Sequence, residues 1–387
     1  MNEDSLSYIL NHTGEEVTYG NAAVPPIFQT SNFLFSTIDE MAGCLSHEDE
    51  QAFYSRGVNP TVETLCRKMA ALEGTEKCLA FGSGSAAIAA AIMANVQQGD
   101  HVVCVEKPYS WTQKLLDNIL SRFGVTATYV DGKRTEALRE AIRPETKLLF
   151  LESPNSWTFE LQDIQAAVAL AKEHNLLTLM DNSYCTPLNF RPADMGVDII
   201  MHSATKYIGG HSDAVAGLLC GSKAMCKKIF SGEFMTLGGI LSPMNAWLLV
   251  RGLRTLHLRM ERVSQTAAKV VDFLQKHDKV AEVYYPFLPS HPQYDLAMRQ
   301  MKRGGGQFTI GLATDNEEKI RTFCESLTYF GMGCSWGGYE SLIFPALTLH
   351  RSQNYKTTLP ANMIRFYTGL EEADDLVEDL RKALDAI

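Results

Sequence analysis

The chain lacks paired cysteines, although nine cysteines are scattered along its 387 residues. Closely spaced pairs are typical of structural zinc sites and of the disulfide frameworks of secreted domains, so the sequence predicts neither. The ten histidines include no His-Glu-x-x-His motif and no obvious ligand pair. We therefore expect no metal site, and we interpret the cysteines as buried thiols of a cytoplasmic protein, since the cytoplasm is reducing.

Long apolar runs and basic clusters are also missing. The longest apolar stretch, residues 86–96, is about half of the ~20 residues that a membrane-spanning helix needs. The acidic N-terminus leads into no apolar core of the signal-peptide type. The chain has 35 basic and 45 acidic side chains, a net charge of -10, and no basic cluster that could follow a phosphate backbone. The sequence therefore predicts no membrane partner and no nucleic-acid partner.

The chain does have a globular composition and a regular alternation of patterns. Hydrophobic residues make up 45% and charged residues 21% of the chain, and its length suits two domains of unequal size. Between residues 62 and 221, segments of helical period alternate with short apolar runs rich in β-branched residues. This rhythm predicts an α/β domain with a mostly parallel sheet. The predicted strands are residues 77–81, 101–105, 126–130, 148–152, 176–181, 199–202 and 215–220.

The two ends of the chain have different patterns. A long helical stretch from about residue 243 to 277 leads into a segment that mixes strands with helices, which predicts a smaller α+β domain. The first sixty residues have weak periodicity, which suits either an extended arm that docks on another subunit or a loosely packed tail. We therefore divide the chain into an N-terminal arm (1–60), a large domain (61–245) and a C-terminal domain (246–387).

Lys206 lies where an apolar strand ends and hydroxyl side chains begin. A primary amine held at the edge of a buried sheet loses hydration and becomes a nucleophile that can form a Schiff base with an aldehyde. Ser203 and Thr205 stand beside it as possible donors to a phosphate. An aldehyde and a phosphate on one ligand describe pyridoxal 5'-phosphate. The alternative interpretation is a strand-end lysine that reaches solvent.

Two further strand ends suit the same cofactor, because ligands collect at the carboxyl ends of the strands in an open parallel sheet. Gly84 and Ser85 follow the first predicted strand and lead into a helix, where free N–H groups favour a phosphate. Asp181 ends the strand that precedes the Lys206 strand, and its carboxylate could pair with a protonated pyridine nitrogen. A packing turn and a helix N-cap are the respective alternatives.

Three more side chains could contact the same ligand. Tyr109 follows the strand 101–105 and could stack on the pyridine ring, with a buried packing tyrosine as the alternative. Tyr54 and Arg56 offer a phenol and a guanidinium that suit a phosphate. Because both residues precede the first strand, they could act in the site of a neighbouring subunit.

Arg365 sits inside an apolar strand near the C-terminus. A buried arginine is costly unless it is paired, so its partner is either an amino-acid carboxylate or an internal salt bridge. The glycine-rich segment 331–341 contains Ser335 and Trp336 and could bring backbone close to a ligand. It could equally form a tight turn.

Together these segments resemble the Cys/Met-metabolism family of pyridoxal-phosphate enzymes, over nearly the whole chain. The resemblance is most specific at residues 203–207, which read Ser-Ala-Thr-Lys-Tyr. It implies fold type I, in which a large α/β domain of the aspartate-aminotransferase kind is followed by a smaller α+β domain. It also implies a homotetramer, a dimer of dimers, with active sites shared between subunits.

The resemblance implies a role for each candidate residue. The Schiff-base lysine, the pyridinium partner and the stacking residue would be Lys206, Asp181 and Tyr109. The phosphate would be bound by Gly84, Ser85, Ser203 and Thr205, together with Tyr54 and Arg56 from a neighbouring copy. The substrate would be bound by Arg365, Ser335, Tyr109 and Trp336, with Arg365 and Ser335 at its carboxylate.

Within the family, two segments resemble bacterial cystathionine β-lyases. They are residues 335–342 and residues 152–156, where γ-type members usually have Asn-Pro beginning at the position of Ser156. Other positions depart from the family pattern. Bacterial β-lyases tend to have a second arginine at the position of Gly57, methionine γ-lyases have a cysteine at the position of Trp111, and many relatives have proline or a small aliphatic residue at the position of Trp157.

The predicted activity is a β-elimination that converts L-cystathionine, L-cysteine or both into a thiol, pyruvate and ammonia. The catalytic residues would equally serve γ-elimination or γ-replacement, as in methionine γ-lyase, cystathionine γ-lyase, cystathionine γ-synthase and O-acetylhomoserine sulfhydrylase. A non-catalytic binding protein on the same fold is the remaining alternative.

Overall fold

The computed structural model of the protein describes residues 4–355 and 357–387. The chain forms two compact units. The first contains the chain up to Ser153, residues 162–209 and residues 213–254, and the second contains residues 154–161, 210–212 and 255–387. The domain boundary predicted at residue 246 therefore falls within the last helix of the first unit.

The first unit is built around a mostly parallel sheet, as predicted. Its strands are β1 (Lys77–Phe81), β2 (His101–Val105), β3 (Thr126–Val130), β4 (Thr146–Glu152), β5 (Leu177–Asp181), β6 (Ile199–Ser203) and β7 (Gly217–Gly221). Their order is β1-β7-β6-β5-β4-β2-β3, and β7 runs in the opposite direction to the other six. Every predicted strand overlaps an observed one.

Helices pack on this sheet and enclose an apolar core. They are α1 (Leu6–Asn11), α2 (Ile38–Ser46), α3 (Pro60–Glu73), α4 (Gly84–Met93), α5 (Ser110–Lys114), α6 (Thr135–Ala141), α7 (Ile164–Glu173), α8 (Thr186–Asn189), α9 (Lys223–Ile229), α10 (Met235–Leu237) and α11 (Pro243–Arg254). Short π-helical turns at Leu115–Ile119 and Phe230–Phe234 extend α5 and α9. Helix α3 begins at a proline and ends at Gly74, whose φ of 72° suits the left-handed conformation of a helix terminus.

The N-terminal segment contains two helices that its weak periodicity did not predict. Helix α1 is held by Lys68, whose buried ammonium donates to the carbonyls of Ile9 and Leu10, both at 3.1 Å. Glu15 lies 2.9 Å from the same ammonium and 2.7 Å from Arg254, so it offsets the buried charge. Helix α2 has no buried residue.

The second unit has its own sheet, covered by helices. Its strands are β8 (Val280–Tyr284), β9 (Gln307–Leu312), β10 (Gly331–Met332), β11 (Leu342–Pro345) and β12 (Met363–Tyr367), in the order β10-β11-β12-β9-β8. Its helices are α12 (Leu256–Leu274), α13 (Tyr294–Gln300), α14 (Glu317–Ser326), α15 (Ala346–Arg351) and α16 (Ala373–Asp385). The predicted α+β character is therefore confirmed.

The single helix predicted from about residue 243 to 277 is wrong. Thr255, with φ -106° and ψ 4°, leaves the helical region and separates α11 from α12. Across the described ranges, no helix is both long and apolar enough to cross a bilayer.

Candidate active site

The carboxyl ends of the parallel strands lie along one edge of the first unit's sheet. The register pairs Glu152 with Asp181 at the ends of β4 and β5, and Ser203 with Gly217 at the end of β6. Gly217 also pairs with Phe81 at the end of β1. The structure therefore brings the turn after β1, Asp181 and Ser203 to one edge, as the sequence predicted.

The turn between β1 and α4 forms a cradle for an anion. Ser83 caps the helix, since its hydroxyl accepts the N–H of Ala86 at 3.1 Å. Within the described chain, the N–H groups of Gly84 and Ser85 meet no acceptor. A Cβ at Gly84 would stand 3.3 Å from Ser203 Oγ, so the turn approaches that hydroxyl closely. N–H groups that have no acceptor, together with hydroxyls, suit the binding of a phosphate at the start of a helix.

Asp181 is held by the residues that follow it. The N–H of Ser183 donates to Asp181 Oδ1 at 2.9 Å, and Ser183 Oγ accepts the N–H of Ser203 at 2.6 Å. Burial raises the pKa of Asp181, while the hydrogen bonds from Ser183 oppose that shift. The electrostatic influence of His202 and Lys206 also lowers this pKa, so both residues lie near the same carboxylate. A protonated ring nitrogen would offset the cost of burial in the same way, so Asp181 fits the role of pyridinium partner.

Lys206 stands in the turn that follows β6, with a half-buried side chain. Its N–H donates to the carbonyl of Ser203 at 3.1 Å. The Thr205 hydroxyl accepts the N–H of Ala216 at 3.0 Å and donates to the Ala216 carbonyl at 3.2 Å. Thr205 therefore fixes the turn that presents Lys206, and a phosphate would compete with Ala216 for its proton.

Tyr109 reaches the same edge through a contact that the sequence did not predict. Its N–H, at the start of α5, donates to Glu152 Oε2 at 2.7 Å. The carboxylate of Glu152 is buried at the end of β4, whereas 41% of Tyr109 is exposed. Glu152 therefore positions the predicted stacking residue beside the strand end that carries Asp181.

A buried polar cluster anchors two of these strand ends, and sequence reasoning missed its key member. Glu73 Oε1 lies 2.5 Å from His202 Nε2 and accepts from Asn182 Nδ2 at 3.1 Å. All three residues are fully buried. Because Asn182 follows Asp181 and His202 precedes Ser203, Glu73 holds both candidate segments in place. A glutamate at the end of a helix usually faces solvent, so nothing in one sequence distinguishes Glu73.

Tyr54 and Arg56 lie before α3 and are exposed. The Arg56 guanidinium stands 5.7 Å from the centre of the Tyr54 ring. Neither side chain hydrogen-bonds to residues 203–207 in the described part of the chain. Their assignment to the phosphate of a neighbouring copy stays a prediction.

The second unit places Arg365 on β12, where it is 8% exposed. Its Nη2 donates to the carbonyl of Cys334 at 2.7 Å, and its Nη1 donates to Ser156 Oγ at 3.3 Å. Burial lowers the pKa of Arg365 to about 10, so the side chain remains a cation at neutral pH. No carboxylate of the described residues forms a salt bridge with it. Of the two alternatives, the internal salt bridge is not found among the described residues, which favours an external anion.

Ser335 and Trp336 lie in the turn between β10 and β11, next to Cys334. Both are half-buried, and Gly337 adopts a φ of 84° that allows the turn to close. Their proposed contact with a substrate remains a prediction. No cluster of three or more metal-ligating side chains is found among the described residues.

Comparisons with known proteins identify the family and its cofactor. The family model described as "Cys/Met metabolism PLP-dependent enzyme" matches residues 8–385. A solved structure described as that of metB from Corynebacterium glutamicum superposes with a TM-score of 0.92 at 32% identity and covers 98% of each chain. The predicted fold type I architecture is therefore confirmed.

Relatives of similar identity carry different names. An L-methionine gamma-lyase of Pseudomonas deceptionensis is 38% identical and covers 97% of this chain and 96% of the relative. A cystathionine beta-lyase of Lactococcus lactis is 37% identical and covers 95% of each chain. A cystathionine gamma-lyase of Bacillus subtilis is 37% identical and covers 97% of each chain. These identities do not separate β-type from γ-type chemistry.

Proposed function

Since the chain belongs to the family of Cys/Met metabolism PLP-dependent enzymes, we propose that it cleaves the carbon–sulfur bond of a small amino acid by β-elimination. The proposed substrates are L-cystathionine, L-cysteine or both. The observation that supports the β route is the hydroxyl of Ser156, 3.3 Å from Arg365, at a position where γ-type members usually have asparagine. Arg365 is buried and forms no salt bridge with a carboxylate of the described residues, which supports an amino-acid substrate.

The residues of the first unit would hold the cofactor. The phosphate would lie against the N–H groups of Gly84 and Ser85 and the Ser203 hydroxyl, and Asp181 would face the ring nitrogen. Tyr109 would stack on the ring. When bound, pyridoxal phosphate supplies an electron sink for the negative charge left at the substrate Cα.

Lys206 would move the protons of the reaction. Its amine takes the proton from the substrate Cα, and the bond between Cβ and sulfur then breaks with its electron pair left on sulfur. The Lys206 ammonium returns that proton to sulfur, which gives a neutral thiol. Water converts the remaining three-carbon fragment into pyruvate and ammonia. Arg365 holds the substrate carboxylate throughout.

The second candidate is γ-elimination or γ-replacement. The Pseudomonas and Bacillus relatives named as γ-lyases favour it. This route needs a second deprotonation, at Cβ, which the same lysine could perform. The residues described above would therefore serve both routes, and the products distinguish the two routes.

The test is to incubate the purified holoenzyme separately with L-cystathionine, L-cysteine, L-methionine and O-acetylhomoserine. We expect pyruvate with homocysteine from cystathionine, and pyruvate with sulfide from cysteine. Release of 2-oxobutyrate from cystathionine would refute the β route and support the γ route. The Lys206→Ala variant is the control, and unchanged turnover in it would refute a catalytic role for this lysine.

We also propose a homotetramer, a dimer of dimers with shared active sites, in the cytoplasm. Exposed apolar side chains in and before α2, including Leu34 (93%) and Ile38 (87%), support a surface covered by a second copy. The absence of any disulfide among the nine cysteines supports a reducing compartment.

A further inference from the structure

Arg365 stands against two aromatic rings in the second unit. Its guanidinium carbon lies 5.5 Å from the centre of the Trp157 ring and 5.2 Å from the centre of the Phe344 ring. The two rings are themselves 5.4 Å apart and tilted by 43°. Phe344 is the cross-strand partner of Arg365 on β11, so its position is fixed by the sheet. We call these two rings the aromatic shelf.

The aromatic shelf stabilises the positive charge of Arg365 without occupying the N–H groups of its guanidinium. Ring faces attract a cation through their quadrupole, whereas a carboxylate partner would occupy the N–H groups of the guanidinium. One N–H of the guanidinium donates to the Cys334 carbonyl at 2.7 Å, and a second donates to Ser156 Oγ at the longer distance of 3.3 Å. A buried arginine held in this way keeps N–H donors for an incoming carboxylate.

The backbone that presents Trp157 is strained. Trp157 has φ 73° and Phe159 has φ 52°, a left-handed conformation that bulky residues rarely adopt. Hydrogen bonds between Asn155 and Glu160 hold this turn. The N–H of Asn155 donates to the carbonyl of Glu160 at 2.9 Å, and Asn155 Nδ2 donates to Glu160 Oε2 at 3.0 Å. The N–H of Glu160 also donates to Asn155 Oδ1 at 3.0 Å. Phe159 is fully buried and anchors the turn.

We propose that Trp157 is a positioning residue that holds Arg365 ready for the planar carboxylate of an amino-acid ligand. The proposal rests on the proposed function of Arg365 as carboxylate anchor and adds the reason why this chain has a tryptophan at position 157. The shelf fixes the plane of the guanidinium, and the strained turn fixes the shelf. Carboxylate affinity therefore depends on an aromatic ring at position 157.

The test titrates the holoenzyme with propionate, a carboxylate that lacks the amino group and cannot react at Lys206. Binding is followed by tryptophan fluorescence and by competitive inhibition. We expect Trp157→Leu to bind propionate about five- to tenfold more weakly, as for the loss of a partly desolvated cation–π contact. The KM for the sulfur substrate should rise by about the same factor with kcat within about twofold. Trp157→Phe should restore most of both losses.

Two further variants separate the ring from the backbone. Trp157→Gly relieves the left-handed strain but removes the ring, so it should keep or raise the melting temperature while it weakens propionate as Trp157→Leu does. Phe273→Leu is the matched control, because it removes a ring 5.3 Å from the Arg381 guanidinium at another place in the same unit. It should leave propionate affinity unchanged.

The outcomes distinguish this inference from the proposed function. If the wild type releases keto acid but Trp157→Gly and Trp157→Leu bind propionate as the wild type does, the role of Trp157 is refuted while the lyase stands. An equal loss in Phe273→Leu would also refute it, since the effect would then be general destabilisation. If the wild type releases no keto acid from any sulfur amino acid, the proposed function itself fails.

Discussion

At the scale of single residues, the chemistry of the site follows from where reactive side chains interrupt apolar segments. Lys206, Asp181 and Arg365 could be predicted because an ionisable group at the end of, or within, a buried strand requires a partner. The contacts that Glu73 and Glu152 make beside these candidates could not be predicted, nor could the position of Trp157 beside Arg365. Their partners are distant in sequence, so only the folded chain shows, for example, that Glu73 meets His202.

Asp181 leads to a prediction about pH. Its pKa in the folded protein lies above the ordinary value of 3.8. Ionisation of Asp181 therefore imposes a penalty on the free energy of unfolding of the cofactor-free protein. The penalty is absent well below pH 3.8, grows as the pH rises past that value, and is complete above the folded-state pKa. The Asp181→Asn variant lacks this penalty. We expect the cofactor-free variant to melt at a higher temperature than the wild type at neutral pH, with a difference that shrinks as the pH falls.

The same variant should lose catalysis. Without the negative charge opposite the ring nitrogen, turnover should fall about 10²- to 10³-fold, the range for loss of one preorganised electrostatic contact. Melting temperatures of the cofactor-free proteins and keto-acid release by the holoenzymes measure the two effects. A variant less stable than the wild type at neutral pH would contradict the assigned direction of the pKa shift.

At the scale of elements, the strands were predictable and several helix boundaries were not. Strand β2 and residues 148–152 of β4 are mostly apolar runs buried on both faces, and such runs are visible in the sequence. The break at Thr255 could not be predicted, because the one nearby glycine, Gly252, lies inside α11 and the residues that flank Thr255 suit a helix. The two N-terminal helices were missed because α1 is short and α2 buries no apolar face.

The antiparallel strand β7 leads to a prediction about the turn between β1 and α4, which would bind the phosphate. A Cβ at Gly217 would stand 2.1 Å from the carbonyl oxygen of Ser83 and 2.8 Å from the nitrogen of Gly84, and backbone atoms cannot move aside cheaply. Gly217→Ala should therefore displace the turn between β1 and α4. We expect a loss of about 1–3 kcal/mol in the free energy of unfolding, typical of overpacking, and weaker binding of pyridoxal phosphate.

Gly232→Ala is the matched control in the same unit, because its added Cβ meets nothing within 4 Å. Urea denaturation and cofactor titration compare the two variants. If Gly217→Ala bound the cofactor as tightly as Gly232→Ala, the close approach of β7 to the turn would have no part in cofactor binding.

At the scale of the whole molecule, each of the two compact units is made of several separate stretches of the sequence. In the sequence, residues 154–161 come between β4 and β5, and residues 210–212 come between β6 and β7. Both segments nevertheless belong to the second unit. Sequence patterns delimit contiguous segments, so such excursions could not be predicted. The same limit applies to Tyr54 and Arg56, whose predicted ligand lies in a neighbouring copy.

The proposed sharing of active sites predicts complementation between inactive chains. A Lys206→Ala chain keeps Tyr54 and Arg56, and a chain with Tyr54→Ala and Arg56→Ala keeps Lys206. When equal amounts of both are co-assembled, each mixed pair contains one site with all three side chains. Because half of the pairs are mixed and one of their two sites is complete, about one quarter of wild-type keto-acid release should return. Each parent alone should be almost inactive. Activity no higher than the sum of the parents would show that each copy builds its site alone, and Tyr54 and Arg56 would then need another role.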